Sequence, residues 1–272
     1  MMKIKDNIEE INNKSPLRYP GGKTRACKYL EEIINENFDI KIFKNIISPF
    51  FGGGSFEFYM QNKYYLNIIA NDKFKPLYNF WTSCKNKKIE LYEKILKYLN
   101  KIEKEDFINF REKIMNEDNI MDQSILYFII NRCSFSGSTL SGGFSKEASK
   151  KRFTKSSIDK IINLNLSNFD IYNYDFNEFL DKINYNNSLL FLDPPYYLDK
   201  KKSKLYGNNG DMHENFNHEK LYEKLLKKKN WIMTYNNCDY IKELYKNYKI
   251  IEIDWKYSMN KSKKSSEIVI IG

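Results

Sequence analysis

Short apolar runs alternate with amphipathic stretches along this chain. Residues 45–50, Asn45-Ile46-Ile47-Ser48-Pro49-Phe50, read as a strand, followed by the loop Phe51-Gly52-Gly53-Gly54-Ser55 and a helix over about 56–61. Residues 65–70 read as a second strand, closing on Asn71-Asp72. Further on, 169–174 and 189–192 are expected strands around a helix at 176–183. An amphipathic helix at 218–229, a strand at 231–235, a helix at 239–248 and strands at 250–255 and 268–271 complete the series. This alternation predicts an α/β fold with a mostly parallel sheet.

Two stretches break the rhythm. Residues 1–14 are a loose polar lead-in, and Ser15 to Thr24 form a rigid Pro/Gly loop before a helix at 25–37. Residues 74–127 instead show apolar positions at three- and four-residue spacing, a helical pattern. Residues 131–157 are rich in Gly and Ser, and six basic residues fall between Lys146 and Lys160. That stretch is expected as an exposed loop or β-hairpin. The framework is therefore 1–73 plus 161–272, with 74–160 inserted.

The net charge of +10 over 272 residues adds a polyanionic partner to the picture, nucleic acid before membrane. A Lys-rich composition also arises from an AT-rich genome, so charge alone does not decide. Cys27, Cys84, Cys133 and Cys238 lie far apart, without metal-ligand or redox spacing, and are read as reduced thiols. No apolar stretch approaches the roughly 18 residues of a membrane span, and residues 1–14 do not read as a signal peptide.

Chemistry concentrates where strands end. After 189–192 comes Asp193-Pro194-Pro195-Tyr196. Each proline fixes its own φ and restricts the residue before it. The corner offers a carboxylate, carbonyls and a flat ring with little freedom, a set suited to an exocyclic amine on a planar base. The glycines at 52–54 sit between strand and helix, where backbone approaches a ligand closely. Asp72 ends the next strand about 20 residues on, the place of an acid that binds ribose hydroxyls. Pro20-Gly21-Gly22-Lys23-Thr24 imitates a triphosphate loop, but Leu17 stands where that loop needs glycine.

In order, Tyr19-Pro20-Gly21-Gly22-Lys23, Pro49 to Gly54, Asp72, Tyr174-Asp175-Phe176 and Asp193-Pro194-Pro195-Tyr196 resemble the Dam-type DNA adenine-N6 methyltransferases. The resemblance extends to Asn131-Arg132, Phe135-Ser136-Gly137 and Tyr257-Ser258-Met259-Asn260, covering roughly residues 15–271. It implies a Rossmann-like methyltransferase sheet with helices on both faces and an inserted helical and β-hairpin target-recognition domain. It implies S-adenosylmethionine as cofactor, held by Tyr19, Lys23, Pro49, Phe50, Gly52, Gly54, Asp72, Asp175 and Asp193. Asp193, Pro194 and Tyr196 are the implied catalytic residues, with Tyr196 stacked on the target adenine and no metal required. Arg132, Phe135, Ser136, Ser138, Lys151, Arg152, Tyr257 and Ser258 are the implied contacts to double-stranded DNA; the lysine runs at 200–204 and 261–264 read equally as phosphate contacts or as solvated faces. The family often has Glu where this chain has Ser48, so another residue or a water takes the place of that carboxylate. The best-known relatives read a guanine through an Arg in the loop; Ser136 to Ser141 contains none, which implies a target other than GATC.

Pairing with a restriction endonuclease, or action as an orphan methylase, fits this reading, as does a monomer or weak dimer in a cytoplasm, a host's if the source is viral. An RNA amine methyltransferase and a catalytically inactive DNA-binding relative are the alternatives. Cytosine-C5 chemistry is disfavoured because no Pro-Cys pair occurs. His213 and His218 lie outside any metal-ligand cluster, and His218 is expected to cap or pack. Trp81, Trp231 and Trp255 are expected in the core.

Overall fold

The computed structural model describes residues 11–19, 22–197, 216–254 and 266–272. Among these, seven strands form one sheet: β1 (Asn45–Ser48), β2 (Asn67–Asn71), β3 (Phe169–Tyr172), β4 (Ser188–Leu192), β5 (Trp231–Asn236), β6 (Lys249–Asp254) and β7 (Ser266–Ile271). Their order is β3-β2-β1-β4-β5-β7-β6. The pairs from β3 through β5 are parallel, and β7 runs antiparallel to both β5 and β6.

Side chains alternate across the sheet, so each strand feeds two cores. Ile46, Leu189, Phe191 and Ile232 join one cluster with α1 (Cys27–Asn37) and α2 (Ser55–Tyr64). Ile47, Leu190, Leu192 and Met233 join the other with α9 (Phe176–Lys182) and the helix His218–Leu225. Both faces are covered, as expected. Trp81 and Trp231 are fully buried, while Trp255 lies outside the described residues.

The segment between β2 and β3 holds α3 (Lys75–Asn86), α4 (Lys88–Leu96), α5 (Lys104–Lys113), α6 (Ile120–Cys133), α7 (Lys146–Lys151) and α8 (Lys155–Ile162). It shares its core with the sheet: Leu77, Phe80 and Trp81 of α3 belong to the same cluster as Ile46, Ile68 and Phe169. α6 is buried continuously from Gln123 to Cys133, and its Phe128 stacks on Phe80 of α3 at 5.6 Å.

The expectation of an exposed loop or hairpin over 131–157 is corrected. Asn131 to Cys133 close α6, and Leu140, Ala148 and Phe153 are buried. Hairpin pairing reduces to the single antiparallel bridge Ser134–Phe144. The Gly/Ser composition marks tight turns here, with Ser136, Gly137 and Thr139 at positive φ.

The chain leaves β1 for β2 and β3 on one side, then returns to β4 and β5 on the other. The strand order therefore reverses between β1 and β4. At such a switch point the loops leaving adjacent strands diverge and open a crevice at their carboxyl ends.

Candidate active site

That crevice is a cleft of about 700 Å³, inside the roughly 300–1,000 Å³ of small-molecule sites. Residues from widely separated parts of the sequence line it. Tyr19, Lys23, Pro49, Phe50, Gly52, Gly54, Asp72, Asp175, Asp193, Pro194 and Tyr196 all do, together with Ser138 from the loop after α6.

The glycine loop leaves β1 with Gly52 at φ +51° and Gly54 at φ +65°. A Cβ at Gly52 would meet the Tyr19 ring at 2.7 Å, so this position must lack a side chain for the loop to lie against Tyr19. Trp81 Nε1 donates to the Gly52 carbonyl at 3.0 Å and pins the loop from below. Asp72 Oδ2 accepts from the Gly52 N–H and Oδ1 from the Phe74 N–H, each at 2.9 Å. Burial raises the Asp72 carboxyl to about 6 despite those bonds.

Asn71 ties three strand ends together. Its amide donates to the carbonyls of Pro49 and Tyr174 at 3.1 Å, and its oxygen accepts from the Tyr174 N–H at 2.9 Å. Asp175 caps α9 by accepting from the Asn177 N–H at 3.0 Å and pairs with Lys73 at 3.0 Å. Beside it, Phe50, Phe176 and Phe216 form an aromatic corner with centroids 5.0 to 5.8 Å apart. Phe176 belongs to the Tyr174-Asp175-Phe176 motif, whereas Asn71 and Phe216 carry no assigned role in the sequence and are brought in by packing.

The Asp193 carboxylate is held from two directions. Lys23 Nζ donates to both of its oxygens at 2.9 Å, and Thr234 Oγ1 donates to Oδ1 at 2.7 Å. Lys23 is 6% exposed, and it also donates to Tyr196 Oη at 3.0 Å. Burial first, then the Asp193 charge, hold the Tyr196 phenol well above the usual tyrosine range, so it stays neutral. The Tyr196 ring stacks on Tyr235 at 5.8 Å, and the Tyr235 hydroxyl is bonded to His218 Nδ1. His218 thus packs behind the corner, as expected. With two donors on Oδ1 and one on Oδ2, the Oδ2 atom keeps a lone pair for a further donor.

The expected DNA contacts divide. Phe135 is 69% exposed beside the cleft, and the Ser136 backbone turns there at φ 54°. Lys151 and Arg152 are exposed at the end of α7. Arg132 is buried: Nε donates to the Arg152 carbonyl at 2.7 Å and Nη1 to the Pro16 carbonyl at 3.2 Å. Those bonds staple the chain and hold the guanidinium in the interior. Tyr257, Ser258 and the lysines at 200–204 and 261–264 lie outside the described residues. Two residues anchor the loop: Asn131, from the Asn131-Arg132 motif, and Arg111, which the sequence did not single out. Asn131 exchanges hydrogen bonds with the Arg18 backbone at 2.9 and 2.6 Å, and Arg111 donates to the Gly142 and Leu140 carbonyls at 3.0 and 2.5 Å.

A sheet parallel but for one reversed strand, with a glycine loop after β1 and an acidic Asp-Pro-Pro-Tyr corner after β4 lining one cleft, defines a Rossmann-like methyltransferase. Residues 19–259 match the D12 class N6 adenine-specific DNA methyltransferase family, and the chain belongs to it. It is an adenine-specific DNA methyltransferase, and enzymes of this family generally draw their methyl group from S-adenosylmethionine. The Type II methyltransferase M.MjaIII of Methanocaldococcus jannaschii is 25% identical over 269 residues, covering 90% of this chain and 92% of that protein.

Proposed function

We propose that this enzyme methylates N6 of an adenine extruded from a short site in duplex DNA, with S-adenosylmethionine seated in the cleft between β1 and β4. The observation that carries the reading is the Asp193 carboxylate, fixed by Lys23 and Thr234 with one lone pair of Oδ2 open. The residues present fit the cofactor: positive-φ glycines allow close approach, Asp72 faces the cleft for ribose hydroxyls, and Phe50, Phe176 and Phe216 offer a surface for a purine.

The bound cofactor supplies an electrophilic sulfonium methyl. Asp193 Oδ2 and the Pro194 carbonyl accept hydrogen bonds from the adenine amine. These bonds favour a tetrahedral nitrogen and localise its lone pair. As the nitrogen gains positive charge, the fixed Asp193 carboxylate stabilises it without reorganising. The face of Tyr196 away from Tyr235 receives the base. Extrusion costs a few kcal/mol, and stacking returns about 1–3 kcal/mol. Lys151 and Arg152 supply phosphate contacts and Phe135 an apolar contact at the loop, so binding weakens steeply with salt.

The similarity to a Type II methyltransferase supports pairing with a restriction endonuclease. We place the enzyme in a cytoplasm, as a monomer or weak dimer; among the described residues no helix is long and apolar enough to cross a membrane. The test is labelled methyl transfer to native duplex DNA, with modified-base sequencing of the product, for wild type and Asp193→Ala. N6-methyladenine in one short context, lost in the variant, is expected. Transfer to RNA alone overturns the reading.

A further inference from the structure

One ionisable group in the cleft has no role in the chemistry above. Glu57 stands in the first turn of α2, is 2% exposed, and lines the cleft. Its Oε1 accepts from Ser48 Oγ at 2.6 Å, and Ser48 is itself fully buried at the end of β1. A hydroxyl is thin compensation for a buried carboxylate. Burial pushes the Glu57 carboxyl up to about 7, against the Ser48 bond. The charged and titratable groups around it are Asp193 and Lys23 on the cleft side and the Cys27 thiol on α1.

The other carboxylates of the cleft are engaged. Asp72 has both oxygens on backbone N–H groups, Asp175 pairs with Lys73, and Asp193 pairs with Lys23. Among the described residues, Ser48 is the one other residue that donates to the Glu57 carboxylate. The Ser48 hydroxyl and Glu57's own backbone N–H are the donors it meets, which leaves carboxylate lone pairs for a donor that enters with a ligand.

Strand order says which part of the ligand that is. Asp72 follows β2, Asp193 follows β4, and β1 lies between them. A donor whose ribose meets Asp72 and whose methyl faces Asp193 passes over the end of β1. Its aminoacyl end, which branches from the sulfonium, would then lie beside Ser48 and Glu57.

We propose that Glu57, oriented by Ser48, binds the α-ammonium of S-adenosylmethionine and determines the preference of this cleft for an aminoacyl ligand. The assignment rests on the cofactor reading given above. It places the anchoring acid on α2 and its hydroxyl support on β1.

The test is calorimetric binding of S-adenosylhomocysteine, and of its analogue with hydrogen in place of the α-amino group, to the full chain. Wild type is compared with Glu57→Gln, which keeps the volume and an acceptor for Ser48. Expected is a roughly 10–100-fold weaker affinity of the variant for S-adenosylhomocysteine, and less than about threefold change for the deaminated analogue. Wild type binding at pH 7 in buffers of different ionisation enthalpy releases about half a proton, because a carboxyl titrating near 7 must ionise to meet the ammonium. The deaminated analogue releases none. Equal affinity of variant and wild type for S-adenosylhomocysteine overturns the proposal, as does an equal loss for both ligands. If wild type binds neither ligand, the cofactor reading itself falls and takes this one with it.

Discussion

Replacing Lys23 by Met removes one ammonium from beneath the acidic corner after β4, to which we assign the chemistry, and keeps most of the stem. That ammonium bonds to both Asp193 oxygens at 2.9 Å and to Tyr196 Oη at 3.0 Å, which uses all three of its N–H donors. Removing one partner of a buried ion pair costs about 3–5 kcal/mol when the other charge stays dry. The Asp193 side chain is 23% exposed, so water recovers part of that, and about 1–3 kcal/mol of folding stability is the expected loss. The loss in turnover is larger relative to its cause. Lys23 is the common anchor of the carboxylate and the ring, so the variant frees both reacting-site groups together. A missing fixed electrostatic partner is worth about 3–4 kcal/mol in the transition state, or roughly 100–1,000-fold in kcat. The assay is single-turnover methyl transfer at saturating DNA, alongside urea unfolding and S-adenosylhomocysteine binding. Cofactor affinity is expected to move less than about threefold, because Lys23 is already committed to Asp193. A single-turnover rate within threefold of wild type, in a folded variant, refutes the argument that Lys23 positions the corner.

Three further outcomes follow from other contacts. Glu57 has a folded pKa of about 7 against an ordinary 4.5, so its contribution to stability is present below 4.5 and lost as pH rises through 7. Glu57→Gln without ligand should therefore match wild type in urea unfolding near pH 4.5 and exceed it by about 2–3 kcal/mol at pH 8; a gap independent of pH contradicts this. Gly54→Ala places a Cβ 2.3 Å from the Phe51 ring at φ +65°, where Phe51 is wedged against Phe58 and Trp81, and should cost about 2–4 kcal/mol by chemical unfolding. Phe135→Ala, at a side chain 69% exposed, should leave stability within about 0.5 kcal/mol while weakening DNA binding about tenfold in a fluorescence titration. Unchanged DNA affinity would remove Phe135 from the interface.

Local pattern carried the framework of this protein. Ile46-Ile47 and Leu189 to Leu192 are apolar at consecutive positions because both faces of those strands are covered, and that run is visible without coordinates. The acidic corner at Asp193, the glycine loop and Asp72 were legible for a related reason: their chemistry lies in residues next to each other at strand ends. Arg132 and the 131–157 stretch were misread because polarity says nothing about where a side chain turns. A guanidinium can be buried when backbone carbonyls such as those of Arg152 and Pro16 satisfy it.

Only the tertiary structure could join Lys23 to Asp193 across 170 residues, or set Asn71 between Pro49 and Tyr174. The same holds for Glu57, which reads in sequence as one more acid in a helix. Its burial depends on α2 packing against β1, where Ser48 faces it. Periodicity follows from the geometry of one element, so a sequence carries it directly. A hydrogen bond between elements depends on their relative placement, which the packing of the whole core determines.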